Sequence, residues 1–273
     1  MVVLTPEVLL SEMDVVFEIL ILDLSNIESV KGAINELTDP VDVVVMNAGG
    51  LGGEHARKGS GGPRRFRRPA GSVFCSNVAG HVALLDGLVE AGKLSRTAIY
   101  AGTEAARGLP VMGYPKPRIV TGSVDKFQSV CDGSFFADSR DAKTMYVHTK
   151  YVSALWMRSA SRQYPHHRMI AVSPGATSGT NSAAHMGPAV QFVQKNLLFP
   201  LLKLLGNAHG VEIGARRYVD AILDEGTYQS GHFYASDGPN KMTGGVVDQM
   251  KLLDDFGKED YQDNANAAIH SFL

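Results

Sequence analysis

Residues 41–50 read VDVVVMNAGG, an apolar, β-branched run that ends in small residues. A run of this length and composition predicts a buried strand of a parallel sheet that is covered on both faces. Asp39 and Pro40 stand directly before it and end whatever helix precedes them, because proline disfavours helical backbone in the residue before it. This stretch therefore indicates an α/β chain.

The residues before this strand predict the first half of a β-α-β unit. Residues 15–22 form a nearly continuous apolar run that Asp23 closes, which is typical of an earlier buried strand. Ser25 or Asn26 can cap a helix that runs to about Leu37. The order strand, helix, strand favours a parallel crossover.

The same rhythm continues along the rest of the chain. A predicted helix over residues 74–90 leads to the strand TAIYA at 97–101, and a longer one over 145–164 leads to MIAVS at 169–173. GHFYAS at 231–236 predicts a last short strand. Because parallel crossovers need helices, we predict one α/β domain over residues 1–273, a doubly wound parallel sheet with helices on both faces.

Three regions depart from this rhythm. Residues 50–70 read GLGGEHARKGSGGPRRFRRPA and predict a basic, irregular loop. Residues 102–144 separate a strand from its helix by far more than the usual few residues, which indicates a long insertion. Residues 187–230 predict helices, the first of them apolar enough to cover a substrate.

The composition sets limits on function. The chain has 44% hydrophobic and 20% charged residues and a formal charge of −2, which argues against disorder and against bulk binding of nucleic acid. A small-molecule substrate is the expected partner. The basic residues of 57–68 could in principle bind phosphate or nucleic acid, but we expect no nucleic-acid partner.

The cysteines, histidines and apolar segments indicate a cytoplasmic protein without a metal. Cys75 and Cys131 cannot form a disulfide framework and are expected to be buried fillers. The histidines lack metal-ligand spacing with nearby carboxylates. The first residues do not resemble a signal peptide, and the most apolar later segment contains Lys195 and Lys203, so no membrane span is expected.

Tyr146 and Lys150 are the residues that most directly indicate chemistry. They stand at positions i and i+4, so on a helix both side chains project from one face. A phenol is a poor acid or base at neutral pH, but a nearby ammonium stabilises the phenolate and lowers the phenol's pKa. The pair can therefore exchange a proton with a carbonyl or alcohol oxygen. A surface tyrosine beside a solvated lysine gives the same spacing without any function.

Further motifs appear around this pair in a fixed order. Asp23-Leu24 and Asn47-Ala48-Gly49 follow predicted strands, Asn77 lies in SNVAGH, and Pro174-Gly175 follows a later strand. With Tyr146 and Lys150, this series resembles the short-chain dehydrogenases/reductases over roughly residues 15–235. The resemblance implies a Rossmann-like fold and a nicotinamide cofactor, NAD or NADP, with NADP slightly favoured.

The resemblance also implies which residues hold the cofactor. Asp23 would approach the adenine, the small residues after the next strand would lie beside the adenine ribose, and Thr177 would bond the nicotinamide carboxamide. Asp23 can equally be a helix-capping residue, and an Asn-Ala-Gly turn occurs without any ligand. The implied cofactor-binding residues are Asp23, Leu24, Asn47, Ala48, Gly49, Tyr146, Lys150, Pro174, Gly175 and Thr177.

The implied catalytic residues are Tyr146, Lys150, Asn77 and Thr103. By the same resemblance, Lys150 would bond the nicotinamide ribose as well as lower the pKa of Tyr146, and Asn77 would hold a water in a proton relay. Asn77 can also be a structural, hydrogen-bonded asparagine. Thr103 stands where the family usually has serine, and Ser123 and Ser134 are outside candidates for the same hydroxyl.

The chain also departs from the family pattern. The family opens with a strand, a glycine-rich turn and a helix that receives the pyrophosphate, and residues 1–24 contain no such turn. The first β-α-β elements are therefore expected to be missing or altered, and cofactor binding weakened. The basic tract and the missing turn together suggest an incomplete or faulty gene model.

The predicted function is NAD(P)-dependent hydride transfer between the nicotinamide and a carbonyl or secondary alcohol, with Tyr146 as general acid or base. The apolar segment after Gly187 favours a lipophilic substrate. An impaired relative that acts by binding partners, without turnover, is the alternative. Because relatives often pair through the helices at 74–90 and 145–164, a homo-oligomer is expected.

Overall fold

The computed structural model describes residues 19–50, 73–136, 141–178, 196, 199–204 and 206–273. Within them, one five-stranded sheet has its strands in chain order. The first four are parallel and the last is antiparallel to its neighbour. The strands are β1 (Val41–Met46), β2 (Leu94–Ala101), β3 (Arg168–Val172), β4 (Phe233–Ser236) and β5 (Val246–Asp248).

Helices connect the four parallel strands, as the predicted alternation requires. A π-helical turn at Cys75–Ala79 runs directly into α2, and short 3₁₀ turns follow β2 at Glu104–Arg107 and Pro110–Met112. The α-helices of the described residues are α1 (Ile27–Glu36), α2 (Gly80–Glu90), α3 (Val124–Cys131), α4 (Ala142–Gln163), α5 (Phe199–Leu204), α6 (Val211–Leu223) and α7 (Glu259–His270).

The helices cover both faces of the sheet, because alternate residues of a strand point to opposite sides. On β2, Ala98 and Tyr100 join a large core with α1, α2, α4 and α7. Ile99, between them, joins a smaller core with residues of α6. The prediction of a sheet with helices on both faces is confirmed.

Local signals in the sequence also set the helix starts. Asn26 caps α1 by accepting a hydrogen bond from the backbone N–H of Glu28 at 3.1 Å. Asp141 caps α4 by accepting from the backbone N–H groups of Lys143 and Thr144. This cap starts α4 three residues earlier than the apolar pattern at Met145 predicts.

The predicted strand at 15–22 is wrong over residues 19–22, which belong to no strand; residues 15–18 lie outside the described part. The side chains of Ile19 and Ile21 are 78% and 81% exposed. Leu22 and Leu24 instead pack against the large core. An apolar, β-branched run has strand propensity, but it becomes a strand only where a neighbouring strand pairs with it.

The insertion at 102–144 is ordered over most of its described length. Its described residues contain three 3₁₀ turns, a two-residue bridge between Leu109 and Tyr114, and α3, which packs against α7. The basic tract at 50–70 lies outside the described residues except for Gly50. Most of the predicted lid before residue 205 also lies outside them, so both assignments stay predictions.

None of the helices that the structure describes combines the length and the hydropathy that a membrane crossing requires.

Candidate active site

Helix α4 presents Tyr146 and Lys150 at the carboxyl end of β2. Lys150 is 4% exposed. Its ammonium donates to the backbone carbonyl of Ala101 at 3.0 Å and to the hydroxyl of Tyr100 at 3.1 Å. Its Nζ lies 5.9 Å from the centre of the Tyr146 ring. The i, i+4 spacing therefore brings the two side chains together, as the sequence predicts.

Opposing effects act on the acidity of Tyr146. Burial raises the pKa of Tyr146 above its usual value of about 10, whereas the positive charge of Lys150 lowers it. Burial likewise lowers the pKa of Lys150, and the neighbouring Tyr146 partly offsets that shift. Because burial dominates for both groups, the neutral phenol is the stable form of Tyr146 at neutral pH.

Thr103 lies within hydrogen-bond reach of Tyr146 and caps the start of the 3₁₀ turn after β2. Its hydroxyl accepts from the backbone N–H of Ala105 at 3.2 Å, and its hydrogen bond to the phenol lowers the pKa of Tyr146. The other two candidate hydroxyls bond within the insertion: Ser123 lies 3.5 Å from the Thr121 hydroxyl, and Ser134 donates to the Ser129 carbonyl. The geometry therefore favours Thr103.

Asn77 lies in the π-helical turn that precedes α2. Its amide nitrogen donates to the carbonyls of Gly50 and Val73, and its amide oxygen accepts from the backbone N–H of Gly50 at 3.0 Å. Gly49 has φ +150°, and a Cβ there would lie 2.5 Å from the Asn77 amide oxygen. The small residue after β1 is needed because the Asn77 side chain occupies this space.

The turn after β1 is also held by side chains that the sequence pattern did not identify. The His81 ring is bonded to the carbonyl of Ala48 at 2.7 Å. Burial lowers the pKa of His81 to about 4, so the neutral ring donates that hydrogen bond from Nε2. The hydroxyl of Tyr218, on α6, donates to the side-chain oxygen of Asn47 at 2.9 Å.

Pro174, Gly175 and Thr177 form the loop after β3. Gly175 has φ +75°, a backbone conformation that favours glycine. The Thr177 hydroxyl donates to the carbonyls of Pro174 and Gly175 at 3.2 and 3.3 Å, and the His209 ring bonds the Pro174 carbonyl at 2.7 Å. The loop is thus built at the same sheet edge as Lys150.

Asp23 and Leu24 precede α1, in a segment that packs against Cys75 of the π-helical turn and Gly80 of α2. The Asp23 carboxylate accepts from both the backbone N–H and the hydroxyl of Ser25, so its bonds in the structure are those of a turn before α1. A Cβ added to Gly80 would lie 2.0 Å from the Leu24 carbonyl oxygen. The backbone of Leu24 therefore lies against the start of α2.

A buried ionic network joins the carboxyl ends of three strands beneath the site. Glu104, next to Thr103, accepts from the Ser173 hydroxyl after β3 at 2.6 Å and from the Ser236 hydroxyl at the end of β4 at 2.7 Å. Arg217 from α6 lies 3.5 Å from Glu104. Arg107 donates to the Ser236 carbonyl and, outside the network, to Gln249 and two backbone carbonyls.

Sequence reasoning missed Tyr100, His81, Tyr218 and this network. His81 stands four residues after Asn77, the spacing that places two side chains on one helix face, and this signal could have identified it. Tyr100 gave a weaker signal, since an aromatic residue in TAIYA is typical of strand packing alone. Glu104 and Arg217 are 113 residues apart, and only the fold brings them together.

The donors of this sheet edge fit the nicotinamide half of a dinucleotide. An ammonium has three protons, and two of those on Lys150 go to Tyr100 and Ala101, which leaves one for a ribose hydroxyl. The Thr177 hydroxyl donates within its own loop but keeps lone pairs that can accept from a carboxamide NH₂. Among the described residues, no group of three or more His, Cys, Asp or Glu side chains could hold a metal ion.

Comparisons with known proteins find structural likeness only. No family model matches the sequence, and no curated protein matches it. A short-chain dehydrogenase/reductase of unknown function from Caenorhabditis elegans, solved with cofactor, matches with TM-score 0.53 and 16% identity over 83% of this chain and 76% of that one. Salutaridine reductase from Papaver somniferum matches with TM-score 0.50 and 16% identity, over 79% and 81% respectively. At this identity the likenesses establish a shared fold.

Proposed function

We propose that this chain, which has the fold of the short-chain dehydrogenases/reductases, is an NAD(P)-dependent oxidoreductase that interconverts carbonyls and secondary alcohols. The observation that carries the proposal is the convergence of Tyr146, Lys150 and Thr103 at the carboxyl edge of the sheet. Ligands of open α/β sheets bind at that edge. A phenol, a buried ammonium and a second hydroxyl are the groups that proton transfer to a carbonyl oxygen requires.

In the direction of reduction, the Thr103 hydroxyl donates to the substrate oxygen and holds it beside Tyr146. As hydride adds to the carbonyl carbon, the C=O π electrons move to oxygen, which takes the phenol proton of Tyr146. The positive charge of Lys150 stabilises the phenolate that is left. A bound nicotinamide would supply the hydride, chemistry that side chains cannot provide.

The same residues that the family resemblance implies are proposed to hold the cofactor. Lys150 would donate its remaining proton to the nicotinamide ribose, and Thr177 would accept from the carboxamide. The turn at Asn47, Ala48 and Gly49 would lie beside the adenine ribose. Asp23, with Leu24 next to it, would approach the adenine. We propose NAD or NADP, with NADP slightly favoured.

We further propose a lipophilic carbonyl or a sterol- or retinoid-like alcohol as substrate. The Tyr114 ring lies 6.3 Å from the Tyr146 ring, centre to centre, so an aromatic side chain flanks the proton donor. Leu201 and Leu204 on α5 are 52% and 84% exposed. An aromatic side chain beside the proton donor favours a substrate with apolar surface.

Cofactor binding tests the proposal directly. Trp156 is buried, and its ring lies 5.7 Å from the Tyr100 ring that contacts Lys150, so bound NADH or NADPH should accept energy from its excited state. We expect saturable transfer at sub-millimolar cofactor, weakened in Lys150→Met and unchanged in Lys126→Met, a half-buried control on α3. No binding at millimolar NADH and NADPH would contradict the proposal.

A further inference from the structure

Tyr100 is 1% exposed, and the centre of its ring lies 4.7 Å from the Lys150 ammonium nitrogen. Its hydroxyl accepts from the Lys150 ammonium at 3.1 Å and donates to the backbone carbonyl of Asn77 at 2.7 Å. One phenol thus connects the π-helical turn before α2 with the lysine of α4. Neither the sequence motifs nor the proposed reaction assigns it a role.

The direction of these two bonds is fixed by chemistry. A carbonyl oxygen can only accept, so the Tyr100 proton must go to Asn77, and only the lone pairs of the Tyr100 oxygen face Lys150. The second partner of Lys150, the Ala101 carbonyl, is also only an acceptor. Both partners therefore bond the charged ammonium well and the neutral amine poorly.

This arrangement opposes the effect of burial on Lys150. Burial lowers the pKa of the lysine, and among the described residues no carboxylate forms an ion pair with it. Burial also raises the pKa of Tyr100, so that phenol stays neutral at neutral pH. The ammonium is thus kept charged by two neutral acceptors, one of them the Tyr100 hydroxyl.

We propose that Tyr100 is a positioning residue that keeps the Lys150 ammonium charged and aimed at Tyr146, and so sets the acidity of the proton donor. The proposal deepens the proposed function and rests on it. Tyr100 touches neither substrate nor cofactor in this account and acts only through Lys150. Asn77 contributes through its backbone carbonyl, which lies in the π-helical turn and accepts from the Tyr100 hydroxyl.

The test measures the ionisation of Tyr146 without cofactor or substrate. Labelling with difluorotyrosine brings phenol ionisation into the pH range where the protein is folded, and the ¹⁹F resonance of Tyr146 is assigned as the one lost in Tyr146→Phe. In Tyr100→Phe we expect the Tyr146 midpoint to rise by about one pH unit, the size of one lost charge-assisted hydrogen bond. A rise below about 0.3 unit would overturn the proposal.

The control must lose a similar buried hydroxyl elsewhere. Tyr151 lies on α4 and is also 1% exposed. Its hydroxyl donates to Asp255 at 3.1 Å, whereas the Lys150 ammonium bonds Tyr100 and Ala101. Tyr151→Phe should leave the Tyr146 midpoint unchanged. An equal shift in Tyr151→Phe would show a general effect of core loosening and would also overturn the proposal.

A double-variant cycle shows whether Tyr100 acts through the lysine. Lys150→Met keeps the volume of the stem and removes the charge, so adding Tyr100→Phe to it should not move the Tyr146 midpoint further. An additive shift contradicts the proposed route. If the shift and the cycle hold but cofactor does not bind, only the proposed function fails; if cofactor binds and turns over but the midpoint does not move, only this inference fails.

Discussion

Thr103 carries the hydroxyl that we assign to the substrate oxygen, and its role can be separated from its size. Valine has nearly the same shape but no hydroxyl, so Thr103→Val should lower kcat by about 10²- to 10³-fold, the usual cost of one such donor. Thr103→Ser keeps the hydroxyl and should retain most of the activity. Steady-state reduction of a lipophilic ketone measures both variants. Wild-type kcat in Thr103→Val would exclude Thr103 from this role.

The site residues that could be predicted from the sequence have recognisable local signals, whereas the missed ones depend on distant partners. Tyr146 and Lys150 could be predicted because a spacing of four is a local property, and Thr103 because the family resemblance implies a hydroxyl at its position. Tyr100 and Tyr218 could not, since their hydroxyls matter only through partners that lie far along the chain. For Asp23 the sequence left two roles open, and its carboxylate bonds Ser25 in the turn before α1.

At the scale of elements, the π-helical turn and α2 hold the turn after β1 through Asn77 and His81. His81 is 1% exposed, and burial lowers its pKa to about 4 from an ordinary 6.5. Between these values the unfolded chain binds a proton that the folded chain does not. The stabilisation is therefore complete above pH 6.5 and is lost as the pH falls toward 4.

This difference in the pKa of His81 between the folded and the unfolded chain predicts that the folded protein loses stability in mild acid. From pH 7 to pH 5, His81 should cost the folded protein about 2 kcal/mol of unfolding free energy. His81→Gln keeps an N–H donor but does not titrate, so it should lose less stability over the same interval by about that amount. The exposed His166→Gln should behave as wild type. Denaturant unfolding at both pH values measures this, and equal losses in wild type and His81→Gln would contradict it.

Element by element, the alternation of apolar strands and helices predicted β1, β2, β3 and β4 and the helices between them. Residues 19–22 show the limit of that reasoning, because strand propensity without a pairing partner leaves an exposed, irregular segment. The helical content of the insertion at 102–144 was also not predicted. Its α3 is short, and it is stabilised by packing on α7 from the far end of the chain.

At the scale of the whole molecule, the Glu104 network ties β2, β3, β4 and α6 together beneath the site. Glu104 is the carboxylate of this network, and the guanidinium groups of Arg107 and Arg217 are both nearby and buried. Glu104→Gln keeps the shape but leaves buried positive charge uncompensated. We expect it to lower the free energy of unfolding by about 3–5 kcal/mol, as for other broken buried ion pairs.

An exposed carboxylate provides the comparison for this change. Glu225 lies 3.3 Å from Arg168, but its side chain is 57% exposed. Glu225→Gln should therefore cost less than about 1 kcal/mol. Denaturant unfolding of the two variants compares them directly, and a loss as small in Glu104→Gln as in Glu225→Gln would show that the network does not hold the strand ends together.

Tyr146 is the proposed proton donor of a nicotinamide-dependent carbonyl reduction. The most direct test compares wild type with Tyr146→Phe, measuring cofactor affinity by energy transfer from Trp156 and turnover by oxidation of NADPH or NADH with lipophilic ketones. We expect Tyr146→Phe to bind the cofactor still and to lose at least about 100-fold in kcat. Turnover by Tyr146→Phe at the wild-type rate would contradict it.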